Sequence, residues 1–209
     1  MEIIASSTVS AIDPVPAGNY VARCYSMVHI GTITEEYLGE KKTMNKVRLT
    51  WELPTELKVF KEEKGEQPYV LSKDFTLSLH EKATLRKWLE SWRGKAFNNQ
   101  ETERFDITKL VGVPCMLNVI HKEKKDGNMR ADISSISAMP KGLLCPEQMN
   151  PSVIFSVIEF DQTVFDTFPD FLKDKIRSSK EYKEMESPNV FETTPEHTES
   201  QEDDDQLPF

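Results

Sequence analysis

Ser78-Leu79-His80-Glu81-Lys82-Ala83-Thr84-Leu85-Arg86-Lys87-Trp88-Leu89-Glu90-Ser91-Trp92-Arg93-Gly94 is the stretch on which the fold turns. Leu85, Trp88, Leu89 and Trp92 recur at helical spacing and share one stripe. Ser78 and Glu81 have the spacing of a capping box. Gly94 follows the last apolar position as a stop. The spacing predicts an amphipathic helix of about four turns, with Trp88 and Trp92 in a core.

On the N-terminal side the period is two. Residues 1–16 are polar and hold Pro14 and Pro16, so they read as a lead-in strand or arm. Residues 19–30 are rich in β-branched and aromatic side chains and predict a first strand. Residues 31–42 read as a loop or hairpin tip. In residues 43–53, Val47, Leu49, Trp51 and Leu53 alternate with Lys46, Arg48, Thr50 and Glu52. That is a half-buried second strand, which Pro54 is expected to end. Residues 55–68 read as a long charged loop. Residues 69–79 form a third strand, with Leu71, Phe75 and Leu77 on one face and Lys73 interrupting it.

On the C-terminal side, residues 97–110 are a polar connector with Phe105 and Ile107 as anchors. Residues 113–121 and 129–138 predict two more strands. Asp126-Gly127 between them is a hairpin signal. Three strands, one helix and two strands give a mainly β chain in the order of the OB-fold, a five-stranded Greek-key barrel with its helix between strands three and four.

Residues 139–151 hold Pro140, Gly142, Pro146 and Pro151 and read as a linker. Residues 152–186 carry a second apolar cluster, with Pro169 placed to start a short helix. This small helical extension is expected to pack on the barrel or on a second subunit through Phe160–Phe171 side chains. Residues 187–209 lack basic residues and periodicity and are expected to be a disordered acidic tail. The organisation is thus a domain over 1–140, a linker and extension over 141–186, and a tail over 187–209.

The net charge of −9 is unevenly spread. Residues 1–145 hold 21 Lys and Arg against 19 Asp and Glu, whereas residues 187–209 hold seven acids and no Lys or Arg. A slightly basic domain with an acidic tail is a pattern of binding proteins. Cys24, Cys115 and Cys145 have no metal-ligand spacing and read as reduced thiols. His29, His80, His121 and His197 form no metal motif, and no phosphate loop or nucleophile elbow is present. The reading is a protein without cofactor, metal or catalytic residues. No apolar run approaches the roughly 20 residues of a membrane span, and no signal peptide opens the chain, so a cytoplasmic location is expected.

Single strands are held by a positive groove with aromatic platforms. Arg23, Tyr25, Met27 and His29 share one face of the first predicted strand. Lys46 and Arg48 lie on the second, Lys73 on the third, and Lys41 and Lys42 between the first two. Lys122, Lys124, Lys125 and Arg130 flank the last hairpin. Tyr25, Tyr37, Phe60 and Tyr69 lie on or beside this surface as stacking candidates. These positions fall on the strands and loops with which OB-folds bind oligonucleotides.

The chain ends Asp203-Asp204-Asp205-Gln206-Leu207-Pro208-Phe209. Acidic residues before an aliphatic, proline and phenylalanine resemble the tip of bacterial single-stranded DNA-binding proteins. Pro16-Ala17-Gly18-Asn19-Tyr20, residues 46–53 and Leu85-Arg86-Lys87-Trp88-Leu89 resemble phage-encoded OB-fold single-stranded DNA-binding proteins over residues 16–140. The resemblance implies a non-enzymatic protein of phage or prophage replication and recombination, acting in the bacterial host cell. It implies a tip, through Asp203, Asp204, Asp205, Leu207, Pro208 and Phe209, that docks replication, recombination and repair proteins. The chain departs from that pattern in Gln206 and in lacking a long Gly/Gln/Pro-rich linker, so its subunit number is left open, with a homo-oligomer possible. The alternative is an OB-like protein-interaction module that assembles a replisome or inhibits a host nuclease.

Overall fold

The computed structural model describes residues 14–37, 39–124 and 127–187, with Tyr37 described by its backbone. Five strands, β1 (Gly18–Tyr37), β2 (Glu40–Lys61), β3 (Gly65–Thr76), β4 (Pro114–Glu123) and β5 (Met129–Ser137), form an antiparallel sheet ordered β3-β2-β1-β4-β5. β1 serves two neighbours: Gly18–Arg23 pair with β4, and Arg23 onward pairs with β2. At the free edges a side chain spans the seam. Lys73 Nζ donates to the Ile133 carbonyl at 2.7 Å and lies 3.5 Å from Asp132. The result is a nearly closed five-strand barrel, consistent with an OB-like fold.

The tryptophan stripe is helical, as its spacing predicts. α1 (Thr84–Arg93) buries Leu85, Leu89 and Trp92 against the barrel interior, and Gly94 ends it in the left-handed conformation at φ 68°. Trp51, fully buried on β2, sits 6.4 Å from the Trp88 ring and 5.8 Å from the Trp92 ring. Burial of each such side chain contributes about 1.5–3 kcal/mol.

The expected capping box does not form. Ser78 Oγ instead accepts from the His80 amide at 3.2 Å, and Ala83 caps α1 with no side-chain bond. These local turns occupy residues 78–83 and shorten the helix to ten residues. A capping box does form one element later, where Asn98 and Glu101 cap α2 (Asn99–Glu103).

Two predicted loops are strand. β1 and β2 pair out to Tyr37↔Glu40 across residues 31–42. β2 also runs past Pro54, because the ladder shifts register between Leu53 and Leu57 and so accommodates a residue without an N–H. Residues 55–68 are therefore a β2–β3 ribbon, turning through Glu62–Lys64.

The linker crosses the outside of the barrel. Arg23 donates to the carbonyls of Gly112 (2.6 Å), Pro146 (2.9 Å) and Cys145 (3.3 Å). Glu52, with no exposed surface, accepts from the Met149 and Asn150 amides at 2.7 and 2.8 Å and from Asn150 Nδ2 at 2.6 Å. β6 (Val153–Ser156) then pairs parallel to β1 over Ser26–His29. α3 (Gln162–Asp166), α4 (Asp170–Arg177) and α5 (Lys180–Glu186) follow. Val28, Ile30 and Ile33 on the outside of β1 join Phe155, Phe165, Phe168, Leu172, Ile176 and Tyr182 in a second core.

The extension thus packs on the barrel. Phe160 and Phe165 lie in it with ring centroids 5.0 Å apart, which spends within the chain the cluster expected as a subunit contact. Phe171 alone of these phenylalanines stays exposed, at 58 %.

Gly31 of β1 sits against the extension, at φ +97°. A Cβ there would lie 2.7 Å from Glu181 Oε2 and 2.9 Å from both Ser179 Cβ and Val157 Cγ1. Gly31→Ala is expected to destabilise the protein by about 1–3 kcal/mol in urea titration and to make the chain cleavable between residues 145 and 187 in limited proteolysis. Wild-type stability and resistance in the variant would count against this docking.

Candidate nucleic-acid interface

Whether a lysine or arginine can bind a phosphate depends on what it already holds. Two register shifts in β1, at Cys24/Ser26 and His29/Gly31, break the simple alternation expected there. Met27 consequently faces the barrel core, while Arg23 and Tyr25 remain outside. The Arg23 guanidinium donates to three backbone carbonyls and straps the linker down. Lys73 shares the parity of Leu71 and Phe75, so it enters the barrel seam, with its ammonium 5.0 Å from the Trp88 ring centre. Its interruption of the apolar face was the visible sign of that role.

The remaining candidates fall into three groups. At the hairpin tips, Lys41, Lys124 and Arg130 are exposed and have no carboxylate partner among the described residues. Lys42 lies 3.4 Å from Glu40, and Lys122 pairs with Asp132. Tyr37's side chain, Lys125 and the tip residues Asp203, Asp204, Asp205, Leu207, Pro208 and Phe209 lie outside the described residues. On the β2–β3 ribbon, Phe60 meets the Tyr69 ring edge-on at 5.1 Å.

The third group is an ion network between barrel and extension. Lys46 pairs with Glu35 at 2.9 Å and Arg48 with Asp74 at 2.9 Å. Lys175 of α4 joins the two pairs, 3.2 Å from Glu35 and 2.8 Å from Asp74. The hydrogen bond from Lys46 is the main reason the Glu35 carboxyl falls below its usual value; burial opposes it and Lys175 assists. Burial alone would lower the Lys175 ammonium, but Asp74 and Glu35 raise it.

Two recesses flank this network. Lys46, Lys73 and Lys82 line a hollow of about 470 Å³ with Thr76, Ser78 and His80, beside the start of α1. Asp132 connects Lys73 of this hollow to Lys122. On the other side, Tyr25, Arg48, Val70 and Phe171 line a groove of about 380 Å³ between the barrel and α4. Of the cations read from sequence, Lys46 and Lys73 line the first recess and Arg48 the second; Asp74 lines the first and pairs with Arg48 of the second. Sequence reasoning missed Lys82, Lys175 and Phe171. Lys82 lies in the turns before α1, where a longer helix was expected, and the other two reach the barrel only through a contact across about a hundred residues.

The histidines of the strands are satisfied. His29 bonds Ser156 Oγ at 3.2 Å and Asn45 Oδ1 at 2.7 Å, and His121 Nε2 lies 2.9 Å from the Val15 carbonyl. Cys24 and Cys115 are buried free thiols, and burial pushes Cys24 up to about 12. Among the described residues no helix is long and apolar enough to cross a membrane. The chain matches no known family model and no curated protein, so the functional argument rests on these recesses.

Glu35 and Glu181 both hold the extension, Glu181 by accepting from the Thr32 amide at 2.7 Å and hydroxyl at 2.6 Å. Burial raises the Glu181 carboxyl, but these bonds bring it below the usual value. Carboxylates lowered on folding contribute stability that is complete above the unfolded value, near 4.5, and lost as pH falls through the folded one. Acidification below that value is expected to loosen the extension, seen as faster cleavage by pepsin between residues 145 and 187. Glu35→Gln with Glu181→Gln should flatten that dependence.

Proposed function

We propose that this protein is a non-enzymatic single-stranded DNA-binding protein of phage or prophage replication and recombination, working in the bacterial cytoplasm. The observation that carries the reading is the open hollow holding Lys46, Lys73 and Lys82 on an OB-like barrel. It borders strands two and three, the surface with which this fold binds oligonucleotides. Lys46 and Lys82 offer charges to phosphates, and Lys41, Lys124 and Arg130 extend the field along both hairpins. Binding that depends on phosphates more than on base edges has little sequence preference. The acidic tip, Asp203 to Phe209, is the part we assign to docking replication, recombination and repair proteins. Before DNA arrives, its charges also compete for the same cations.

A second reading is an OB-like protein-interaction module that does not touch DNA. Its support is that Glu35, Asp74 and Asp132 already neutralise much of the cationic surface. Fluorescence titration with dT oligonucleotides separates the two. Binding at low salt is expected, with log affinity falling against log salt at a slope of about −0.7 per phosphate neutralised. No binding at low salt overturns the first reading in favour of the second. Removing residues 199–209 is expected to tighten DNA binding at low salt and abolish capture of replication proteins. Capture that survives the truncation would remove the docking role from the tip.

A further inference from the structure

α4 presents an aromatic ring where a helix of a packed extension has no structural use for one. Leu172 and Ile176 are its buried residues, in line with Phe168 just before the helix, whereas Phe171 points away from that core and is 58 % exposed. Leaving more than half of a phenylalanine in water forfeits much of its favourable burial. Pro169 starts the helix two residues earlier, so the ring lies in the first turn and leans over the 380 Å³ groove. The Arg48 guanidinium lies 5.1 Å from the ring centre, and Asp74 holds that guanidinium at 2.9 Å. The ring is thereby fixed before any ligand arrives, which lowers the ordering cost of binding.

The rest of the groove is amphipathic in a particular way. Tyr25 supplies a second aromatic wall, and Val70 an apolar one. On the floor, the Thr50 and Ser72 hydroxyls lie 2.9 Å apart. One donates to the other, so one hydroxyl proton is left for a ligand whichever way the pair is oriented. Arg48 lines the groove, and the ion network it joins through Asp74 sets three cations (Arg48, Lys46, Lys175) against two carboxylates (Asp74, Glu35), one positive charge in excess. A flat aromatic face, a polar edge and an adjacent negative charge are the features such a recess complements.

We propose that this groove is a base-binding slot, in which Phe171 of the C-terminal extension stacks on a nucleobase of a single strand whose phosphate lies toward Arg48 and Lys175. The proposal rests on the reading of the protein as a single-stranded DNA binder and assigns part of that function to the extension. Stacking on Phe171 with one adaptable hydroxyl beneath accepts any base, as coating requires.

The test uses the full-length protein, dT oligonucleotides and one oligonucleotide carrying iododeoxyuridine. Ultraviolet cross-linking followed by peptide mapping is expected to mark Phe171 or Tyr25. Phe171→Ala is expected to weaken dT binding by about tenfold or more while melting at the wild-type temperature, and Phe171→Tyr to retain the wild-type affinity. Wild-type binding with an unaffected Phe171→Ala variant, and cross-links elsewhere, would overturn the slot and leave the single-stranded DNA reading standing. Failure of the wild type to bind dT at low salt would overturn that reading and the slot with it. Light scattering supplies the remaining arm: if Phe171→Ala converts a dimer to a monomer, the groove holds a second copy of the chain and the slot is wrong.

Discussion

Glu52 is a carboxylate with no exposed surface, and two backbone amides and one side-chain amide of residues 149 and 150 satisfy it. A carboxylate stranded in such a place without partners costs several kcal/mol. The outside of β2 is therefore not a solvent face at this position. It requires the linker, and the linker held by Glu52 and Arg23 delivers β6 to the side of β1. From there α3, α4 and α5 have one surface to cover, the Val28-Ile30-Ile33 face. The second core, the Lys175 end of the ion network and the groove between barrel and α4 follow from where that linker is tied down.

The barrel and the extension meet through unlike materials. Val28, Ile30 and Ile33 are covered by aromatic and aliphatic side chains, and hydrophobic burial dominates there. Nearer the β1–β2 hairpin the contact is ionic, through Glu35, Lys46, Asp74 and Lys175. Partly exposed ion pairs contribute little to stability, and they exchange partners readily. The half of the interface where hydrophobic burial dominates is thus separate from the ionic half beside the recesses.

What was legible in the sequence was whatever repeats locally. The Leu85-Trp88-Leu89-Trp92 stripe and the Val47-Leu49-Trp51-Leu53 alternation each announce a buried face within a dozen residues, and all of these side chains are buried except Trp88, which is half-buried against the same core. Their order was enough for an OB-like barrel. Pro54 misled because a register shift lets a strand pass a proline, and nothing local announces that shift. The cations were legible as cations, but their partners were not. Arg48 and Asp74 are adjacent only through the β2–β3 ladder, and Lys175 joins them across about a hundred residues. Lys73 lies between these cases: its place in an apolar alternation was a readable anomaly, which the seam explains.

Pairing also changes what a count of cations means for an anion-binding surface. Lys41, Lys124 and Arg130 have no carboxylate partner among the described residues, so each phosphate they met would displace only condensed counterions from the nucleic acid. Lys46, Arg48 and Lys175 hold Glu35 and Asp74, and a phosphate that takes one of these cations sets a carboxylate free. That carboxylate then gathers salt cations of its own, which offsets part of the counterion release. The paired cations therefore contribute less to salt dependence than their number implies, and more to geometry, because the carboxylates hold them in position. On the proposed single-stranded DNA reading, the hairpin tips would supply long-range attraction, and the network between barrel and extension a preformed place for a strand to lie.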